Sequence, residues 1–293
     1  MFKKLFAVSI FLAVTSATVT SQAFAFPMPG HGKYSAQKFR PEMLLQFSEK
    51  QFDFEGIAEL SDCSGSLFRF ENSVDSDSAM ILTNGHCFEA GMPAPGQFVY
   101  HQQSDRTFNL LKSNLEAAGT VTAVEATYST MTTTDITIYK LSQTYAQIKA
   151  QMGVSPLTLA SKHPSEKDSI EVLSGYWHRG YACAIDTFVN ELREAGWVMN
   201  DSMRYSQPGC ETIGGTSGSP VVLSGTRTII GVNNTGNDNG EKCTMDNPCE
   251  VDQKGNIFYK QGLSYGQETY EIYTCLNANR EIDLSVKGCQ LPH

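Results

Sequence analysis

The eight cysteines restrict the fold of this chain more than any other feature of its sequence. An even number of cysteines in an exported protein favours pairing of all of them in disulfide bonds. A structural zinc site is the alternative, but no Cys-x2-Cys pair with matching histidines is present. We therefore expect four disulfides, no bound metal and no other cofactor. The cysteines are Cys63, Cys87, Cys183, Cys210, Cys243, Cys249, Cys275 and Cys289.

The first 25 residues have the pattern of an export signal. Lys3 and Lys4 precede an apolar run over residues 5–14, and residues 23–25 (AFA) fit a small-x-small cleavage site. A membrane anchor is the alternative, but the apolar run is shorter than the roughly 20 residues that span a bilayer. The sequence therefore predicts a signal peptide over residues 1–25 and a secreted or periplasmic protein.

The charge of the chain argues against nucleic acid as a partner. The 293 residues carry 22 basic and 31 acidic side chains. Without Lys3 and Lys4, 20 basic residues (22 − 2) remain, which gives a net charge of −11 (20 − 31). Proteins that bind a phosphate backbone neutralise it with lysine and arginine. We therefore expect no nucleic-acid partner and, in the mature form, no membrane contact.

Short strands are the repeating pattern from residue 56 onwards. Runs of β-branched and apolar residues, bounded by polar turns, indicate strands. The predicted strands lie at residues 56–60, 63–70, 79–83, 97–101, 119–124, 134–141, 156–160, 170–176, 220–223 and 228–232. Two further segments, 183–186 and 203–210, are predicted to be the arms of a hairpin joined by Cys183–Cys210. The first six strands are predicted to form one barrel.

Helical spacing is confined to a few short segments. Residues 144–152 and 188–197 show it, and a short helix is also expected near residues 41–50. The polar, turn-rich segment 233–240 does not fit a calcium loop, because Thr235 would occupy the first ligand position. We expect this segment to lie beside the substrate, closed further on by a Cys243–Cys249 ring.

Three separate motifs carry the residue types needed for acyl transfer. The segment 214–220 (GGTSGSP) places Ser217 among glycines, which allow a sharp turn and close approach of a ligand. The segment 83–87 (TNGHC) places His86 after an apolar strand, and Asp135 stands at the head of the strand 136–141. A serine hydroxyl needs an adjacent base to attack an amide, and the base needs a group that orients it.

The order His86, Asp135, Ser217 resembles that of the trypsin/chymotrypsin-like serine peptidases. The Ser-Gly-Ser-Pro ending and Thr216 are more similar to the bacterial glutamyl-endopeptidase-like branch. The resemblance covers residues 55–293. It implies an all-β fold of two six-stranded antiparallel Greek-key β-barrels packed together, with short helices in the connections. The first barrel would span about 55–145 and the second about 155–293.

The resemblance also implies roles for individual residues. Ser217 would be the nucleophile, His86 the general base and acid, and Asp135 the group that holds the imidazole. The backbone N–H groups of Gly215 and Ser217 would form an oxyanion hole. In this family the cysteine of the Cys-Ser-Gly-Ser-Leu strand is bonded to the one after the histidine, which implies a Cys63–Cys87 disulfide.

The residues that select the substrate are read from the same resemblance. Glu211, six residues before Ser217, would lie at the floor of the first substrate pocket and favour Lys or Arg. Thr212 matches the glutamate-cleaving branch instead, whereas Asn233 stands where that branch has a histidine. Glu211, Thr212 and Asn233 are therefore the predicted substrate-binding residues.

The sequence thus predicts an exported, monomeric serine endopeptidase that acts on polypeptides through an acyl-enzyme. Residues 26–54 would be a pro-segment or N-terminal extension. The trypsin activation switch is not expected here, because Thr216 replaces the aspartate that receives the new N-terminus. A non-catalytic homologue that binds proteins through the same cleft is the alternative.

Overall fold

The structure is a computed structural model, and it describes residues 51–293. The predicted signal peptide, most of the predicted N-terminal extension and the helix expected near residues 41–50 lie outside the described residues. No helix within residues 51–293 is long and apolar enough to cross a bilayer.

Strands dominate the described part of the chain, which is all-β with one α-helix. The earlier strands are β1 Ile57–Glu59, β2 Ser64–Arg69, β3 Ser78–Thr83, β4 Phe98–Gln103, β5 Thr107–Leu111, β6 Ala117–Thr130, β7 Ile136–Thr144 and β8 Leu157–Leu159. The later strands are β9 Ser169–Ser174, β10 Arg179–Glu194, β11 Trp197–Tyr205, β12 Pro220–Leu223, β13 Thr228–Gly236, β14 Cys249–Val251, β15 Ile257–Phe258 and β16 Ser264–Glu268. Two 3₁₀ segments also occur, Gly85–Cys87 and Tyr270–Cys275.

Six strands of the first half close into an antiparallel barrel. They pair in the order β1–β5–β6–β7–β3–β2, and β2 pairs back onto β1. The strand expected at 97–101 is β4, which lies outside this barrel and pairs with β6. Most β4 side chains are exposed, whereas β5 buries Phe108, Leu110 and Leu111 and completes the barrel. β5 was not predicted from the sequence, although Phe108 and Leu110 alternate with Thr107 and Asn109 as in a half-buried strand.

Six later strands also pair in a ring. Their order is β9–β10–β11–β16–β13–β12, and β12 pairs back onto β9, with every pairing antiparallel. β8 connects the two sets, because it pairs in parallel with β2 at Phe68–Leu157 and with β13 at Thr228–Thr158. The short strand β14 lies on the outer edge of β10.

Strand β2, which lies where the two sets of strands meet, is buried on both faces. Leu67 of β2 packs inside the first barrel, whereas its neighbour Phe68 packs in a second cluster with Leu157, Val222 and Ile229. Successive strand residues point to opposite faces, so consecutive apolar residues fill two cores at once. Burial of each such side chain contributes about 1.5–3 kcal/mol.

The helix predicted at 144–152 is confirmed as α1 Tyr145–Met152, in the connection between the two sets of strands. Thr144 caps it: its side chain accepts the Gln147 N–H, and the Gln147 side chain accepts the Thr144 N–H. This reciprocal capping satisfies two N–H groups that a helix start leaves unpaired. The helix ends at Gly153, which has a left-handed φ of 70°.

The helix expected at 188–197 is wrong, because these residues belong to the hairpin β10–β11. Leu192 pairs with Met199, and Glu194 pairs with Trp197 across a turn at residues 195–196. The apolar spacing of a ten-residue segment fits a helix or a strand equally well. Pairing with β11 and with β14, which is remote in sequence, decides in favour of the strand.

All eight cysteines are paired in disulfides. Cys63–Cys87 joins the start of β2 to the turn that carries His86, across a sequence separation of 24 residues. Closing a loop of this size contributes on the order of 3 kcal/mol in the chain-entropy model. The other three bonds are Cys183–Cys210, Cys243–Cys249 and Cys275–Cys289.

Candidate active site

A cavity of about 90 Å³ is lined by residues of both halves of the described chain. His86, after β3, and Asp135, before β7, come from the first half. Ser217, just before β12, comes from the second half and lines the same cavity. The structure therefore brings together three side chains that the sequence carries in three separate motifs.

Asp135 is buried, with 1% of its surface exposed, and holds His86 through two contacts. Its Oδ2 lies 2.8 Å from His86 Nδ1, and its Oδ1 accepts the backbone N–H of His86 at 3.0 Å. The side-chain amide of Asn84 donates to the Asp135 backbone oxygen at 2.8 Å. Because Nδ1 is bonded to the carboxylate, Nε2 is the ring nitrogen left to exchange a proton.

The turn that carries His86 requires a glycine at position 85. A Cβ there would overlap the carbonyl oxygen of Thr130 and would meet Asp135 Oδ1 at 2.9 Å. Only a residue without a side chain lets this turn approach the carboxylate so closely. The glycine of the motif thus sets the distance between the histidine and the aspartate.

The turn that carries Ser217 is held against the first barrel. Ser64 N–H donates to the Ser217 backbone oxygen at 2.7 Å. Gly218 has a φ of 79°, and a Cβ there would overlap the Ser64 carbonyl oxygen. The Ser217 hydroxyl donates to the Asn234 carbonyl at 3.3 Å and makes no hydrogen bond to His86. Serine and histidine thus share the cavity without being bonded to each other.

Two backbone N–H groups beside Ser217 lack an acceptor within residues 51–293, namely those of Gly215 and of Ser217 itself. The indole N–H of Trp177 donates to the carbonyl of Gly214 at 2.7 Å. In a trans peptide the C=O and the N–H point in opposite directions. The Gly215 N–H therefore points away from Trp177, and Gly215 takes the positive φ of 85° that this turn requires.

The predicted substrate-binding residues are only partly brought together. Thr212 and Asn233 line the cavity, whereas Glu211 does not. Glu211 is exposed, and its carboxylate accepts the N–H of Gly209 at 3.0 Å. This local hydrogen bond keeps the carboxylate on the surface of its own loop, so the structure does not place an acidic pocket floor at Glu211.

A sequence model described as a trypsin-like peptidase domain matches residues 63–232, which is more than half of the chain. The matched segment includes His86, Asp135 and Ser217. This chain belongs to that family. The trypsin-like peptidase described here is accordingly a serine endopeptidase, as the sequence predicted.

Several solved protease structures are similar to this trypsin-like peptidase at low sequence identity. The inactive form of the Rv3671c protease of M. tuberculosis is 12% identical, with a TM-score of 0.43 over 74% of this chain and 85% of that chain. The thermostable serine protease AL20 from an extremophilic microorganism is 14% identical, with a TM-score of 0.42 over 73% of this chain and 91% of that one. A glutamic-acid-specific serine protease is 14% identical, with a TM-score of 0.40 over 73% and 92%. No curated protein matches the chain at a significant level.

The hairpin β10–β11 brings three residues to this cavity that were not predicted from the sequence. Glu194, Trp197 and Met199 line it, and Trp197 Nε1 donates to the Pro93 carbonyl at 2.9 Å. Glu194 and Trp197 lie in the segment 188–197, which was predicted to be a helix. Segment 233–240 was expected to be turn-rich and to lie beside the substrate. Its first four residues form the end of strand β13 instead, and residues 233–236 and Asp238 line the cavity.

The charges in the cavity shift the pKa of His86 and of Glu194. Burial disfavours the imidazolium of His86, but the carboxylates of Asp135, Glu194 and Asp246 outweigh it, so the pKa is raised. Burial raises the pKa of Glu194 to about 7, against the lowering effect of hydrogen bonds from Thr235 and from the Asp246 N–H. Glu194 thus changes charge near neutral pH, and its carboxylate is one of the groups that raise the pKa of His86.

Proposed function

We propose that this trypsin-like peptidase is an exported endopeptidase that cleaves peptide bonds through Ser217, His86 and Asp135. The observation that carries the proposal is the 2.8 Å contact between His86 Nδ1 and buried Asp135, in a cavity that Ser217 also lines. A serine, a base and a buried carboxylate that orients the base are the parts that acyl transfer needs.

In the proposed reaction, the Ser217 hydroxyl leaves the Asn234 carbonyl and attacks the carbonyl carbon of the substrate. Its proton passes to His86 Nε2, and Asp135 stabilises the imidazolium that forms. The same proton then passes to the leaving amine as the C–N bond breaks. A water molecule, deprotonated by His86, hydrolyses the acyl-enzyme and regenerates the serine.

The negative charge that develops on the substrate oxygen needs donors fixed in advance. We assign this role to the N–H groups of Gly215 and Ser217, because neither is taken up by an acceptor in the described chain. Loss of one such donor costs about 10²–10³ in kcat in serine peptidases. Trp177 supports the arrangement, since its bond to the Gly214 carbonyl fixes the direction of the next N–H.

The proposed architecture is a pair of six-stranded Greek-key barrels, at about 55–145 and 155–293. Antiparallel pairing of the later strands in a ring supports the second barrel. We further propose residues 1–25 as a signal peptide and 26–54 as a removable or persistent extension. Phe54, at the end of this extension, is buried in the core, so if part of the extension is removed, we expect the removed part to end before Phe54.

Export is supported by the pairing of all eight cysteines, since disulfides persist in oxidising compartments. Thr212 and Asn233 are proposed as substrate-binding residues, because both line the cavity. Glu211 is not included, since its carboxylate lies on the surface loop.

The proposal is tested with a serine-directed fluorophosphonate and a Ser217→Ala variant. The protein should be labelled at Ser217 and should hydrolyse casein, and Ser217→Ala should lose turnover by about 10⁶, as in another serine peptidase. Ser219→Ala, a matched change two residues away, should keep both properties. A folded protein that is neither labelled nor active would instead assign the cleft to a protein-binding module.

A further inference from the structure

Three carboxylates line the cavity besides Asp135, and two of them lie outside the matched family segment. Glu194 ends β10, Asp238 follows β13, and Asp246 lies within the Cys243–Cys249 ring. None of the described residues that line the cavity is a lysine or an arginine.

The carboxylates are joined to one another by backbone contacts. The Asp246 N–H donates to Glu194 Oε1 at 2.7 Å, and the Asp238 N–H donates to the Asp246 carbonyl at 3.0 Å. Within residues 51–293, none of the three forms an ion pair. The cluster is thus assembled by the fold, and no lysine or arginine among the described residues pairs with it.

A carboxylate that is partly enclosed and has no cationic partner is costly, and the pKa values of Glu194 and Asp238 reflect this. Glu194 has 9% of its surface exposed, and its pKa is raised mainly by burial. The pKa of Asp238 is raised by burial and by the charge of Asp246. A cation that entered the cavity would remove this cost, whereas an anion would increase it.

A second, independent feature of the cavity also lacks a partner. Asn233 lines the cavity with 2% of its surface exposed, and its side-chain Oδ1 accepts no hydrogen bond among the described residues. A buried acceptor of this kind is rarely left unpaired in a native structure. The N–H groups of an ammonium or guanidinium are donors that would satisfy it.

The rest of the cavity wall suits the stem of a long cationic side chain. Its apolar members are Met92, Met131, Trp197, Met199, Ile213 and Met245. Lysine and arginine bury their methylene stems on apolar surface and keep the charged head near polar groups. Thioether side chains adapt to irregular shapes, which allows either stem to be accommodated.

We infer that Glu194 and Asp246, supported by Asp238 and Asn233, bind a Lys or Arg side chain of the polypeptide substrate. The inference rests on the proposed function. The carboxylates that would bind the cation lie at the tip of the β10–β11 hairpin and in the Cys243–Cys249 ring, and not at Glu211. Because Ser217 and His86 line the same cavity, the bound side chain belongs to a residue next to the bond that is cut.

The binding step is tested without turnover, on Ser217→Ala protein, with benzamidine as a cationic probe and calorimetry as the readout. Benzamidine should bind, and benzyl alcohol and benzoate should bind at least tenfold more weakly. Glu194→Gln and Asp246→Asn should each weaken benzamidine by about tenfold. Glu116→Gln, which removes an exposed carboxylate paired with Lys112 on the first barrel, is the charge-matched control and should change nothing.

The substrate step is tested on active protein with a peptide library. Cleavage beside Lys or Arg should exceed cleavage beside Gln, Met or Glu by about 10², and Asp246→Asn should reduce this ratio by tenfold or more. Asp246 is exposed, so this variant guards against misfolding of Glu194→Gln. Dominant cleavage beside Met or Glu, or equal binding of the three probes, would overturn the inference.

The outcomes also separate this inference from the proposed function. Phosphonate labelling and casein hydrolysis without a cationic preference would leave the peptidase mechanism standing and remove only the binding site for the cation. Benzamidine binding by a protein that neither labels nor hydrolyses casein would overturn the substrate assignment together with the mechanism.

Discussion

The two halves of the candidate site differ in how completely the hydrogen-bonding groups of their catalytic side chains are satisfied. On the first-barrel side, His86, Asp135 and Asn84 hold one another through bonds of 2.8–3.0 Å, although Asn84 Oδ1 has no partner in the described chain. On the other side, the Ser217 hydroxyl makes one long bond of 3.3 Å, and Asn233 Oδ1 has no partner in the described chain. The base is thus fixed before substrate arrives, whereas the nucleophile side keeps its bonding capacity for the substrate.

The largest effect is expected from a substitution that disrupts the hydrogen bond between Asp135 and His86. Asp135→Asn should lower kcat by about 10⁴ with little change in KM, because an amide at this position favours the wrong imidazole tautomer. Steady-state kinetics on a peptide substrate measures the effect, with circular dichroism to establish that the variant is folded. A loss of less than tenfold would show that Asp135 does not orient the base.

A smaller effect is expected from a substitution at Trp177, which supports the turn that carries Ser217. Trp177→Phe removes the donor to the Gly214 carbonyl and keeps an aromatic ring, so kcat should fall by about tenfold, the equivalent of one hydrogen bond, at unchanged KM. Tyr100→Phe is the matched control, because it removes a 3.2 Å bond to Ile282 far from the serine turn. A change confined to KM would mean that Trp177 binds substrate and does not position the Gly215 N–H.

The smallest expected effect is a shift in the pH dependence of kcat/KM, because Glu194 on one side of the cavity changes the pKa of His86 on the other. His86 acts as a base only when neutral, so kcat/KM should rise with pH through its raised pKa. Glu194→Gln removes one of the carboxylates that raise this pKa, so the rise should move to lower pH by about half a unit. A profile between pH 5 and 9 measures it, with Glu116→Gln as control; no shift, or a shift to higher pH, would contradict the coupling.

The elements that carry His86 and Asp135 were predicted well from local sequence. The strand before His86, the strand after Asp135 and the helix at 145–152 were all expected, because each is encoded by adjacent residues. Gly85 belongs to the motif TNGHC at residues 83–87, but the need for a glycine there comes from the close approach of Thr130, which no local pattern reveals.

The other side depends on contacts between residues that are distant in sequence, and here prediction failed. Segment 188–197 has helical spacing, but its pairing with β11 and β14 makes it a strand and carries Glu194 into the cavity. Glu211 was chosen by counting from Ser217, whereas its carboxylate is held by the N–H of Gly209. Counting from a motif locates a residue within its loop, but it does not determine the direction of that residue's side chain.

The β10–β11 hairpin has a mechanical consequence as well as a chemical one. Thr133, two residues before Asp135, donates its N–H to Val198 at 3.0 Å, and Asn200 donates to Thr133 at 2.8 Å. With the bond from Trp197 to Pro93, three hydrogen bonds connect the two halves across the cleft. At about 0.5–1.5 kcal/mol each, these bonds oppose widening of the cleft on the side of the hairpin. We therefore expect extended chain segments to enter the cleft more readily than folded surfaces.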